Sequence, residues 1–303
     1  MKRLLYSALL LLASCGSAAE DPYRFDGAIT QPVLERYLSR AVTMSEFLTV
    51  DPFCNDGTYP DKEADVELIR STGAKFIGRA IYRWGDEPAL ADPAFWSGAR
   101  ALIDRVHAFD PDVIFQAATF EAVYRTVNEI EVPAWTFEAL GLPVEKRRFD
   151  YASMLNREGI YVDLWGPGGS VPDITQVETQ LWLMYLIGSY VDIGCEAVHL
   201  GQVWLMGMND SGWQTWDSFL RKVRAWVGQR ARRHFVLFWW ASGACSTSTP
   251  SRCGSRRWRG GPWSACSKRT TSMPSTARAP HAWSRAAGTA MGCPIWSSST
   301  TSA

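Results

Sequence analysis

From Ala241 to Ala303 the chain has no Leu, Val, Phe, Tyr, Asp, Glu, Asn or Gln. A stretch without Leu, Val, Phe or Tyr cannot build a packed core, and one without acids cannot balance its seven Arg and one Lys. Nor is it composed like a disordered tail. Such tails are rich in Glu, Gln and Lys, whereas this one holds four Trp and four Cys. Trp and Cys among Ser, Arg, Thr, Ala, Gly and Pro are what GC-rich codons yield in the wrong phase. Residues 239–303 therefore read as an out-of-frame tail, shifted near Phe238. A genuine basic, Ser/Arg-rich segment for an anionic surface is the other reading.

Other absences narrow the chemistry of the remainder. There is no CxxC, HExxH or GxSxG, and the "GPGGS" run from Gly166 to Ser170 lacks the strand, Lys and helix of a phosphate loop. His107 and His199 are the only histidines before the last strand-like run, so no metal site and no cofactor are expected, and a metal-dependent hydrolase ranks low. Cys54 and Cys195 could pair in an oxidising compartment if the fold brings them together. Removing the tail leaves 23 basic against 31 acidic residues in the first 240, a balance of −8. An acidic body argues against nucleic acid as a partner. Oligomeric state has no signature.

What is present begins with an address. Lys2 and Arg3 precede an apolar run from Leu4 to Leu12, too short to span a bilayer. "LASCG" then follows, and it resembles the lipobox of bacterial lipoproteins. That resemblance implies export, a lipid on Cys15 and a membrane partner through that anchor. Cleavage of an ordinary secretory signal after Ala19 is the alternative. Either way residues 1–19 read as a signal and 20–27 as a tether.

Between 28 and 238, helical and strand periodicities alternate, in a chain with 47% hydrophobic residues overall. "DKEADVELIRSTGA" predicts a helix and Lys75–Tyr82 a strand. A second pair runs from Asp92-Pro93 to Ala108 and from Val113 to Phe120. Asp173 is placed as N-cap of a long helix leading to the strand "EAVHLGQV", and "WDSFLRKVRAWVGQRARR" leads to "HFVLF". "SRAVTMSEFL" predicts an earlier strand and "GIYVDLW" another, while 132–169 is expected to be an elaborated loop. The class is α/β with a parallel sheet. Five or six such units fit a (β/α)8 barrel of the triosephosphate isomerase type, incomplete because its last part is misread.

In such barrels the active groups stand at the C-terminal ends of the strands. Three runs qualify: Arg83-Trp84-Gly85-Asp86, Thr119-Phe120-Glu121 and the run from His199 to Trp204. Tryptophan faces stack on the C–H surfaces of pyranoses, while carboxylates, Gln and Arg bond their hydroxyls. In this an exported, Trp-rich chain of βα repeats with a carboxylate just past a strand resembles the barrel glycoside hydrolases. The resemblance implies hydrolysis of a glycosidic bond by two carboxyl groups. Glu121 is the first of them, with Arg83, Trp84, His199, Gln202 and Trp204 as substrate ligands. Asp86, Asp163 and Asp210 are open for the second, which could also belong to the misread part. Glu196, at the start of its strand, falls on the opposite face and is expected to be structural. A surface glycan-binding lipoprotein on the same scaffold, without hydrolysis, is the alternative.

Overall fold

The computed structural model describes residues 21–54 and 62–240. The expected signal, Cys15 and the tail beyond Trp240 lie outside the described residues. After the helix α1 (Gln31–Ser39) come the parallel strands β1 (Ala41–Thr43), β2 (Phe76–Tyr82) and β3 (Ile114–Ala118). Helices α2 (Lys62–Thr72) and α3 (Pro93–His107) form the crossovers between them. A short antiparallel ribbon, β4 (Val123–Tyr124) with β5 (Gly169–Ser170), encloses helices α4 (Ala134–Leu140) and α5 (Tyr151–Met154). Helix α6 (Val177–Asp192) returns the chain to β6 (Ala197–His199). Then α7 (Val203–Met206) and α8 (Gln214–Arg230) lead to β7 (Leu237–Trp239).

The main sheet is five-stranded and parallel, in the order β1-β2-β3-β6-β7. Each strand is added beside its predecessor, with no reversal of direction across the sheet. Alternate residues of these strands enter two different cores, as the period of two requires. Ile77, Phe115, Val198 and Phe238 pack under α2, α3, α6 and α8 in the main core. Phe76, Ile114 and Ala197 face the other way, onto Phe25 and Tyr37 of the N-terminal segment. The chain is thus a mixed α/β protein whose helices cover one face of a parallel sheet. Among the described residues, its opposite face is covered near the strand starts by the segment from Tyr23 to Tyr37.

Local rules explain most of the elements. In α3, Asp92 accepts the Ala94 N–H at 2.8 Å, Pro93 opens the first turn, and Phe95, Ala99, Leu102, Ile103 and Val106 recur on one face. Helix α6 is instead buried nearly all round, because α4, α5 and α8 surround it above the sheet. Gly188 permits this packing: a Cβ there would lie 2.4 Å from the ring of Trp135, which stacks on Trp226 with centroids 5.1 Å apart.

Three expectations need correction. Helix α6 begins at Val177, not after Asp173, because the Asp173 carboxylate serves a turn instead. It accepts the Thr175 N–H at 2.9 Å and the Thr175 hydroxyl at 2.7 Å, and is fully buried beside Asn209. The alternation in "GIYVDLW" gives turns rather than a strand. Asn156 Oδ1 gathers the N–H groups of Glu158 (2.9 Å) and Ile160 (3.1 Å), and Tyr161 and Asp163 take positive φ of 58° and 54°. Finally, Cys54 and Cys195 do not form a disulfide with each other. Cys54 rests on the Thr49 carbonyl, and Cys195 is buried, which pushes its thiol pKa up.

Candidate functional site at the C-terminal edge of the sheet

The register of β3 and β6 builds the centre of the site. Ala118 pairs with His199, so Glu121 and Gln202, each three residues further on, arrive level with one another. Gln202 donates twice to the Glu121 carboxylate, from its backbone N–H to Oε2 at 2.8 Å and from its side-chain amide to Oε1 at 2.6 Å. Hydrogen bonds to an ionised acceptor are short and strong, so the carboxylate is fixed in one orientation at a position 8% exposed. Gly201 makes this approach possible. Its φ is 74°, and a Cβ would sit 2.1 Å from Glu121 Oε2 and 2.8 Å from the Phe120 Cα.

The residue before Glu121 is under backbone strain. Phe120 has a φ of 55°, a left-handed conformation that costs a residue with a side chain about 1–2 kcal/mol. Ring packing holds it there. Its ring lies 4.6 Å from Trp84, 5.3 Å from Tyr82 and 5.7 Å from His199, centroid to centroid. Strain of this kind gathers at ligand sites because the surroundings must over-determine it. On the other side of Glu121, the Trp165 indole N–H donates to the Glu121 carbonyl at 3.2 Å. Trp84 and Trp165 remain 39% and 38% exposed, so each offers much of an aromatic face to solvent.

His199 closes the strand. Its Nδ1 accepts the Gly201 N–H at 2.8 Å, which leaves the proton of the neutral ring on Nε2. Burial, and then the positive charge of Arg79, lower its pKa to about 4, so the ring is neutral at physiological pH. Arg79 itself sits at the register shift of β2 with a φ of 52°, its N–H held by Gln116 Oε1 at 3.2 Å. The exposed guanidinium lies 5.7 Å from the centre of the Phe120 ring.

Of the expected site residues, the structure brings Glu121, Gln202, His199 and Trp84 together. Trp204 is 39% exposed on α7, two residues beyond Gln202. Arg83 does not join them: its side chain is wholly buried, donating to the Phe53 carbonyl and lying 5.1 Å from the Phe95 ring centre. Successive strand residues point to opposite faces, and Arg83 leaves β2 on the helix side. Among the loop acids, Asp210 is consumed by α8, whose Thr215 and Trp216 N–H groups it accepts at 2.9 Å each. Asp86 is exposed 3.8 Å from Arg83, and Asp163 is exposed on the loop that carries Trp165. Glu196 is buried at the start of β6 and bonded at 2.7 Å by Arg232 once and by Arg233 twice.

Beside Trp84 a groove of about 320 Å³ runs between Gly85, Tyr124, Arg125 and Thr126 and the turn at Pro167 and Gly168. Among the described residues no group of three His, Cys, Asp or Glu side chains is placed to hold a metal ion, and no helix is long and apolar enough to cross a membrane. Sequence reasoning missed Arg79, Tyr82 and Trp165 as members of the site, and placed Phe120 in a strand-end run without giving it a role. A charged residue inside an apolar strand was a usable sign for Arg79. Trp165 was hidden by the strand-like alternation around it. No protein-family model matches the chain, and no curated protein is detectably similar to it.

Proposed function

We propose that the protein binds carbohydrate in the cleft formed by Trp84, Trp165, Glu121 and Gln202, at the C-terminal edge of its sheet. The observation that carries this reading is a carboxylate locked by two hydrogen bonds, with Trp165 bonded to the carbonyl of the same residue, Trp84 packed on the preceding Phe120, and both indoles more than a third exposed. Exposed indole faces cost hydration unless a ligand covers them, and a sugar's C–H face does so while its hydroxyls reach Glu121, Gln202 and His199 Nε2. With both oxygens already accepting, Glu121 is oriented to take a further hydroxyl proton donor.

On this reading the five parallel strands are the first five of a (β/α)8 barrel. Their sequential order and the restriction of the helices to one face support that assignment. The protein is exported and lipid-anchored through Cys15, a placement that suits capture of glycan at a cell envelope. Hydrolysis is the second reading. It is favoured by Asp163, an exposed carboxylate on the loop tied to Glu121 through Trp165, since hydrolysis needs a second carboxyl group about 5–10 Å from the first.

Incubating the full chain with soluble glycans, and following both binding and release of reducing ends, separates these readings. Binding that Trp84→Ala abolishes, without release, is the result for a binding protein. Release that Glu121→Gln and Asp163→Asn each abolish is the result for a hydrolase. Absence of binding to any glycan, or binding indifferent to Trp84→Ala, contradicts both.

A further inference from the structure

The groove and the aromatic cluster share a feature that a neutral sugar would not require. Arg79 and Arg125 are both exposed, and neither has an ion pair or a side-chain hydrogen bond among the described residues. Each guanidinium is seated instead on an aromatic ring, Arg79 on Phe120 at 5.7 Å and Arg125 on Tyr151 at 5.5 Å. A ring face orients a guanidinium without satisfying its N–H donors. Both lie near the segment that carries Trp84. Arg79 reaches it through Phe120, and Arg125 lies across the groove whose near wall is Gly85.

Both cations sit against packed neighbours. Arg79 keeps its left-handed φ of 52° although Gly or Asn would adopt it with less strain. The turn at Gly168 passes beside Arg125, since a Cβ at that position would lie 3.8 Å from its Cβ and Nε, an ordinary van der Waals contact. Among the described residues the Glu121 carboxylate makes no ion pair with Arg79, and its hydrogen bonds come from Gln202. In the first 240 residues acids outnumber bases by eight, so two unneutralised arginines at one cleft run against the charge of the whole.

Resting on the carbohydrate reading above, we propose that the ligand is an acidic glycan, lying across Trp84 with anionic substituents bonded by Arg79 on one side and Arg125 on the other. The guanidinium fork matches carboxylate and sulfate alike, so a uronic acid and a sulfate ester are both within this chemistry. The groove, at about 320 Å³, is at the small end of ligand sites and suits a short stretch of the polymer.

The test is native affinity electrophoresis of the full chain in gels containing polygalacturonate, dextran sulfate, dextran or hydroxyethyl cellulose. The expected result is retardation by an acidic polymer that exceeds retardation by the neutral ones and declines with added salt. Whether polygalacturonate or dextran sulfate retards more identifies carboxylate or sulfate as the anion. Arg79→Gln and Arg125→Gln each weaken binding about tenfold, and Arg79→Lys retains part of it. Arg221→Gln, on the exposed face of α8, leaves binding unchanged. Equal loss in Arg221→Gln would mean diffuse charge attraction and overturns the proposal. Equal retardation by neutral polymers, still abolished by Trp84→Ala, overturns the acidic ligand and leaves the carbohydrate reading standing. Retardation by none of the four defeats both.

Discussion

Two buried glutamates stand at opposite ends of the same sheet, and their surroundings differ in one respect. Glu196, at the N-terminal edge, is 1% exposed and receives three hydrogen bonds from Arg232 and Arg233. Glu121, at the C-terminal edge, is 8% exposed, and among the described residues its carboxylate is bonded by the neutral Gln202 and by no cation. Fixed cations neutralise the first and leave it nothing to do but join β6 to the chain before β7. Because Gln202 orients the second without neutralising it, Glu121 keeps its charge available to a ligand. Residue type is the same and both side chains are buried, so the partner determines which glutamate is structural and which belongs to a site.

The largest expected effect comes from breaking the Glu196 cluster. Glu196→Ala leaves Arg232 with the Pro111 carbonyl and the more buried Arg233 with the Tyr37 hydroxyl, so the loss is at the lower end of the cost of breaking a buried pair, about 3 kcal/mol. Chemical denaturation of the variant should show that loss. At the other edge, Gly201→Ala should cost about 1–3 kcal/mol, because the added methyl meets Phe120 backbone and the Glu121 carboxylate in a backbone conformation alanine resists. The same variant should lose glycan binding, whereas Glu196→Ala should keep binding wherever it remains folded.

A subtler contrast concerns pH. His199 has a folded pKa lowered to about 4, below its ordinary value of 6.5. The unfolded chain therefore takes up a proton at this site that the folded chain refuses. Its neutral form contributes stability fully above about 6.5, and that contribution is lost as pH falls from there toward 4. His199→Gln should flatten the stability profile over that window. His107, also lowered by burial and bonded to the Val113 carbonyl at 2.8 Å, adds to the same slope and should persist in the variant.

Much of the fold was legible because its signals are local. The apolar run in β2 and the Asp-Pro start of α3 placed both within a residue or two. Signals failed where a side chain did something other than its commonest task. Asp173 closes a turn rather than capping α6, and Asn156 folds an alternating stretch into turns. The site was legible only in part, since Glu121 and Gln202 meet through the register of strands separated by 81 positions. Strand ends identified the candidates, but only pairing could show that Arg83 turns inward while Trp165, in a distant loop, turns toward Glu121.

The most direct test of the account is a tryptophan fluorescence titration of the full chain with a glycan that retards it in gels, comparing wild type with Trp84→Phe. A sugar stacked on Trp84 and Trp165 must alter their emission saturably, and Trp84→Phe must lose a large share of that change while still binding. If emission does not respond, or responds identically in the variant, the cleft above Glu121 is not where carbohydrate sits.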